Sequence, residues 1–308
     1  MQRRTGILDS ETNGLRWING ESDSFPGLVL DQYADSFVLK LYSAVWFSRF
    51  EEILDILREE LRPQRLILRL SRNLQTVARN YSDSSTLIGA PPEGPVVFLE
   101  SGLRFESDVL KGQKTGFFLD QRENRRAIGK LSRGKDVLNA FSFSGGFSVH
   151  AARGAARSVT DVDISAHALE SARRNFALNE RAAAATKHHC IQADVFEWVR
   201  TAPAESYDVV ILDPPSLAKR EAERAGAITA YANLTTAGLR LVRRGGILLC
   251  CSCSAHVSGE EFFGAVQKSA TRSGRKFQVM ETRREPPDHH ASFREAEYLK
   301  AIYLQVGD

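Results

Sequence analysis

Four runs of the chain end in residues that can do chemistry: NAFSFSGG at 139–146, DVDIS at 161–165, QADVF at 192–196 and DPPS at 213–216. In the first, Gly145 and Gly146 let the backbone turn tightly and approach a ligand, and the next helix would present its N-terminus there. Asp163 stands eighteen positions after Gly145, a placing suited to accept hydrogen bonds from both hydroxyls of a ribose. Asp194 suits an adenine amino group, and Asp213 opens the Asp-Pro-Pro turn of the fourth run. Each acid alone could be a solvated loop residue or a helix cap. Four such ends in succession describe one nucleoside-binding edge. The chain also carries a thiol cluster, Cys250, Cys251 and Cys253, with Cys190 apart from it. Neighbouring cysteines on one strand are poor disulfide partners, and no spacing resembles a zinc site, so free thiols and no metal are expected.

Residues like these need elements that align them. DVLNAF, SVTDVDI, HHCIQAD, YDVVILDPP and GGILLCCSCS are short apolar runs of the kind that buried parallel strands require. Helical patterns separate them, notably SAHALESARRNFALN, with Ser165 as N-cap and Leu169, Ala172 and Phe176 on one face. KFQVMETRRE and YLKAIYLQV add two final strands with only a loop between them. The fold class is α/β, a doubly wound seven-stranded Rossmann-like sheet with an antiparallel terminal hairpin, over residues 96–308. GxGxxG is absent from the first turn, which argues against a nicotinamide dinucleotide. Before the punctuation APPEGP at 90–95, residues 1–95 read as a small α+β domain. There SFVLKLYSAV, RLILRLS and QTVARNY are predicted strands and WFSRFEEILDILREEL an amphipathic helix. With 43% hydrophobic and 26% charged residues the composition is that of a soluble globular protein. No run reaches the roughly 18 apolar residues of a membrane span, and no h-region follows the N-terminal arginines. A cytoplasmic location without a membrane is expected. The net charge of +3 permits an RNA partner without requiring one.

KTGFFLDQRENR at 114–125, LNAFSFSGGFSV at 138–149, VDIS, DPPS and SCS at 252–254 resemble the bacterial 23S rRNA cytosine-C5 methyltransferase family. DHH at 288–290, the closing YLK, and NGESDSFPGLVLDQY at 19–33 also match its pattern, so the resemblance covers nearly the whole chain. It implies the class I methyltransferase fold, S-adenosylmethionine as cofactor, a ribosomal RNA substrate and a homodimer. It also implies that Lys114, Phe118 and Asp120 lie over the cofactor, with the Phe117–Phe118 pair near its methionine and sulfonium end. The rest of the expected cofactor set is Asn139, Phe141, Ser142, Gly145, Gly146, Asp163, Ile164, Asp194, Val195, Asp213 and Pro214. Pro215, Ser216 and His289 are expected on the substrate side. Relatives commonly begin with a PUA domain, and this chain has no room for one before Asn19, so RNA recognition falls to the 1–100 region or to a partner.

Carbon 5 of cytosine is a weak nucleophile, and a thiolate that adds to carbon 6 makes it enamine-like. Cys253, at the end of the fifth strand, is the expected nucleophile, while Cys250 and Cys251 lie deeper, where cysteine usually packs. Burial is the competing reading of Cys253, and the SCS match favours the nucleophile. Asp213 could bind the cytosine N3 or amino group. No second cysteine follows Pro214, so elimination would use water or His256. The alternatives are methylation of a guanine or adenine in RNA, a small-molecule substrate, or a non-catalytic RNA-binding assembly factor. Ser216 and Leu217 stand where amino-group methyltransferases place an aromatic residue, which disfavours the first. Arg62, Arg65, Arg69, Arg72 and Arg79 form a run where phosphates could dock, with an ordinary solvated sheet face as the equal reading.

Overall fold

Short apolar runs in the first part of the chain pair into a five-stranded sheet in the computed structural model, which describes residues 4, 6–78, 80–112 and 114–307. Its strands are β1 (Gly14–Asn19), β2 (Leu28–Tyr33), β3 (Ser36–Leu41), β4 (Arg65–Leu70) and β5 (Ser85–Ile88), adjacent in that order. All pairs are antiparallel except β3 with β4, a parallel pair that needs a crossover. Helix α1 (Phe50–Leu61) supplies it and buries Phe50, Leu54 and Leu57 against Leu39, Leu41, Leu66 and Leu68. A hairpin of β6 (Val96–Glu100) and β7 (Leu103–Ser107) follows.

QTVARNY does not form the expected strand. Helix α2 (Arg72–Gln75), which buries Leu74, ends on its first residue, and Asp83 Oδ1 accepts from Leu70 N at 2.7 Å where β4 ends. Tyr81 packs face to face on Phe47, and Arg79 lies outside the described residues. Two arginines of the run serve the fold. Arg65 donates to Ala90 O and Ser36 Oγ, and Arg69 to Val109 O and Gly112 O beside Asp83.

The chain divides into two compact units at Arg122, not near residue 95, and the first unit also takes in Pro286–Phe293. That late segment belongs there because Arg122 and Asp288, both without solvent exposure, form a two-pronged ion pair at 2.7 and 3.2 Å. Burial would raise the Asp288 carboxyl, but His289 and Arg122 hold it far below the usual carboxylate range.

In the second unit, seven strands are ordered β10 (Lys187–Gln192), β9 (Ser158–Asp163), β8 (Asp136–Ala140), β11 (Tyr207–Leu212), β12 (Val242–Ser252), β14 (Lys300–Val306) and β13 (Phe277–Arg283). The first five run parallel, and β14 is antiparallel to both neighbours, as the sequence pattern predicts. Helices α3 (Arg122–Leu131), α4 (Gly146–Arg153), α5 (Ala166–Leu178), α6 (Glu180–Ala183), α7 (Val195–Thr201), α8 (Arg224–Leu241) and α9 (Gly259–Arg272) connect them. Ser165 caps α5 as expected, accepting from Ala168 N at 3.2 Å. Strand order reverses between β8 and β11, where open α/β sheets leave a crevice beyond their carboxyl ends. Among the described residues no helix is long and apolar enough to cross a membrane.

Asp288→Asn removes the charge that the buried Arg122 guanidinium faces. Urea unfolding of the full chain is expected to show a loss of about 3–5 kcal/mol. A loss below about 1 kcal/mol would mean that the pair is not holding the segment.

Candidate active site

The turn after β8 is built against the grain of its sequence. Phe141, Phe143 and Gly145 all take positive φ, at 62°, 47° and 72°. For the two phenylalanines that conformation costs on the order of 1 kcal/mol each. Neighbours hold it: Ser142 N donates to Val162 O at 3.1 Å, and Phe143 N to Asp163 Oδ2 at 2.9 Å. A Cβ on Gly145 would sit 2.9 Å from Ala172 Cβ and 3.2 Å from Asp161 Oδ2, so only glycine fits as the N-cap of α4. Asn139 Oδ1, Ser142 Oγ and Ser144 Oγ are buried here without a hydrogen-bond partner among the described residues.

Asp163 lies at the neighbouring strand end. Its Oδ1 accepts from Ser165 N at 2.8 Å and its Oδ2 from Phe143 N, which leaves each oxygen a lone pair for another donor. Ile164 beside it is 66% exposed. Asp194 caps α7, accepting from Phe196 N and Glu197 N on Oδ1. The Val195 side chain points into the core instead of the edge, and Phe196 takes the exposed position, edge-on to Phe141 at 5.2 Å.

Beneath this edge lies a cluster that the sequence reading missed. Asp161 is fully buried, and its Oδ1 accepts from Asn139 Nδ2 at 2.9 Å and Ser148 Oγ at 2.5 Å. Its Oδ2 meets His188 Nε2 at 2.7 Å, and the His188 ring stacks on Phe176 with centroids 3.7 Å apart. Cys190 joins them because it pairs with Asp161 in register and shares a strand face with His188. The three donor atoms fall within 4.8 Å of one another, a ligand-like grouping that no linear spacing announces. Within the group, Asp161 Oδ2 and His188 Nε2 already bond each other as a buried carboxylate–histidine pair. Burial works against the His188 charge, but the contacts with Asp161 and Cys190 raise its pKa to about 9.

On the other side of the crevice, Asp213 N donates to Ala140 O at 3.5 Å, and Pro214 is buried while Pro215 is exposed. Cys253 follows directly on β12, half-buried, with Sγ 3.9 Å from Pro214 O. Ser254 ties the two loops together: its Oγ accepts from Leu217 N and Ala218 N, and meets Tyr231 Oη at 2.9 Å and Ser216 Oγ at 3.3 Å. Cys250 and Cys251 are buried, and burial pushes the Cys250 thiol up to about 12. His256 is exposed, with Nδ1 3.5 Å from Glu221.

The remaining expected residues belong to the first unit. Lys114 pairs with Asp120 at 2.7 Å and lies over the Phe118 ring. Phe117, expected beside Phe118 at a ligand, instead packs against Phe98 and Phe105. His289 is buried next to Asp288, 3.3 Å away, and is no solvated loop histidine.

Comparison with known proteins gives this arrangement a context. The family model of S-adenosylmethionine-dependent methyltransferases matches residues 68–305. The ribosomal RNA large subunit methyltransferase of Deinococcus radiodurans is 55% identical over 300 residues, covering 96% of this chain and 73% of that one. Ribosomal RNA large subunit methyltransferase I of Aeromonas salmonicida is 36% identical over 298 residues, covering 95% and 74%. Among solved structures, SMU.776, assigned as a methyltransferase and crystallised with SAH, is 25% identical with a TM-score of 0.86, covering 99% of this chain and 78% of that one. The tRNA m1G37 methyltransferase of M. jannaschii, 20% identical with a TM-score of 0.61 over 92% and 76% of the two chains, shares the fold.

The His188–Asp161 pair makes stability depend on pH. Because the folded pKa is raised, the pair's contribution is complete below the unfolded value of about 6.5 and is lost as pH rises through about 9. His188→Gln is therefore expected to cost up to about 3 kcal/mol near pH 6, with the gap to wild type closing towards pH 9 in denaturant titrations. A gap that does not change with pH would rule out a charged His188.

Proposed function

Because the chain belongs to the S-adenosylmethionine-dependent methyltransferase family, we propose that it methylates carbon 5 of a cytosine in ribosomal RNA, with Cys253 as transient nucleophile. S-adenosylmethionine is the cofactor, and when bound it supplies a methyl group on a positively charged sulfur. The carboxyl edge of the sheet suits it. The three orphaned oxygens of Asn139, Ser142 and Ser144 would take up polar groups of the amino acid portion. Asp163 has lone pairs for ribose hydroxyls, Asp194 an oxygen for the adenine amino group, and exposed Ile164 and Phe196 offer the apolar flanks a purine needs.

Ribosomal RNA as substrate draws on the two relatives that carry that substrate in their names. Cytosine C5 draws on one observation above all. Cys253, a half-buried thiol at a strand end, stands beside the Asp-Pro-Pro loop, 39 residues away in sequence, and Ser254 locks the two loops together. In the proposed reaction the Cys253 thiolate bonds to carbon 6, and the electron pair of the C5–C6 double bond makes carbon 5 nucleophilic. Asp213 would hydrogen-bond the cytosine N3 or amino group and steady the charge that develops on attack. Carbon 5 would take the methyl group as the bond from that methyl to the positively charged sulfur breaks, leaving a neutral thioether. Loss of the carbon 5 proton to water or His256 then restores the double bond and expels the thiolate. The target base would first leave its stack, at a cost of a few kcal/mol.

Two outcomes are expected. Asp163→Ala should weaken S-adenosylmethionine binding about 10- to 100-fold by calorimetry, the worth of one or two hydrogen bonds to a charged group. Cys253→Ala should keep that affinity and lose transfer of labelled methyl to unmodified 23S rRNA, by on the order of 10³-fold or more. The wild-type product should be 5-methylcytosine on nucleoside analysis. Label undiminished in Cys253→Ala would sink the cysteine route and point to an amino or ring-nitrogen target.

A further inference from the structure

Lys300, the first residue of β14, is a charge that the reaction above does not use. Its side chain is fully buried, and its Nζ donates to Ser254 O and Val257 O, each at 2.7 Å. Among the described residues no ion pair reaches it. Glu285 gives its Oε1 to the backbone N–H groups of Tyr298 and Leu299, and Glu297 pairs with Arg284. Glu285 and Glu297 act on the ammonium only through space, and a lysine without a direct ion pair is rarely kept in an interior, because an ammonium taken out of water needs an opposite charge. Holding two carbonyls would require only a neutral donor.

The position of Lys300 shows what the charge can answer. In the β12–β14 ladder it lies opposite Ser252, and its Nζ binds the carbonyl of Ser254. Cys253 is the residue between them. We propose that Lys300 is the positioning residue of Cys253, its ammonium holding the 252–257 turn by two carbonyls while favouring the thiolate form of the thiol. A cation beside a cysteine raises the fraction of the nucleophilic form at neutral pH. Burial pushes the Lys300 amine down to about 8, so the ammonium predominates at neutral pH and is lost as pH rises through that value. Other titratable groups at this loop are Tyr231, whose Oη meets Ser252 and Ser254, His256 within the turn with Glu221 beside it, Asp213 next to the Pro214 whose carbonyl meets Cys253, and Glu285, Arg284 and Glu297 around Lys300. Tyr231 stays protonated because burial raises its pKa. Lys300 is the cation that bonds the carbonyls of the turn directly, on both sides of its bend.

This inference rests on Cys253 being the nucleophile, but its test needs no RNA. Iodoacetamide alkylation of the full chain is followed against pH, with peptide mass spectrometry counting Cys253 separately from Cys190. The wild-type midpoint for Cys253 is expected below about 8.5, the ordinary thiol value. Lys300→Met should raise it by about one unit, roughly tenfold less thiolate at pH 7, and Lys300→Arg should move it back. Retained S-adenosylmethionine binding checks that the variants fold. A wild-type midpoint at or above the ordinary value overturns the proposal, whether or not the variants fold. So does an unmoved midpoint in folded Lys300→Met. Methyl transfer surviving in Cys253→Ala would instead remove the nucleophile and leave the alkylation profile as it is.

Discussion

Asp161 has no contact with solvent, so its charge is answered by protein alone, and the way it is answered organises the carboxyl edge of the sheet. One oxygen takes hydrogen bonds from Asn139 at the end of β8 and Ser148 in the first turns of α4. The other takes His188 from β10. A single carboxylate thereby fixes three neighbouring elements below a turn whose own backbone is strained. In a buried site each of these bonds is worth more than in water, and an unpaired member would cost more than its bond is worth. Asp163 repeats the device one layer higher, bonding the strained Phe143 N–H and its own loop at once. The edge is rigid because each loop is held by a residue of the next.

The opposite side of the crevice follows the same logic with neutral groups. Ser254 receives two backbone N–H groups from the loop after Asp-Pro-Pro-Ser, and Tyr231 braces both Ser254 and Ser252. Lys300 pulls on the far side of the same turn through two carbonyls. Ser252 and Ser254 both bond Tyr231, one on each side of Cys253, which sets the thiol on a rigid platform, as a nucleophile requires. In the first unit the corresponding constraint is the buried Arg122–Asp288 pair. It ties Pro286–Phe293 into a unit otherwise built from the first part of the chain.

The amino acid sequence by itself determined the periodic and the local. The five apolar runs ending in Asn139–Gly146, Asp163, Asp194, Asp213 and Cys253 became parallel strands with those residues at one edge, since period and flanking turns suffice to specify a buried strand. Ser165 capped its helix, because a cap depends only on residues within one turn. Tertiary structure decided what sequence spacing cannot express. His188 meets Asp161 only through the register of two parallel strands, and Lys300 reaches the Cys253 turn only because β14 returns antiparallel to β12. Val195 and Phe117 went to the interior because packing chose between adjacent apolar residues, and the segment after β4 turned into the short helix Arg72–Gln75, with Leu74 in the core. Each of these outcomes depends on partners distant in the chain, and the free energy of burying a group belongs to the partners it finds there.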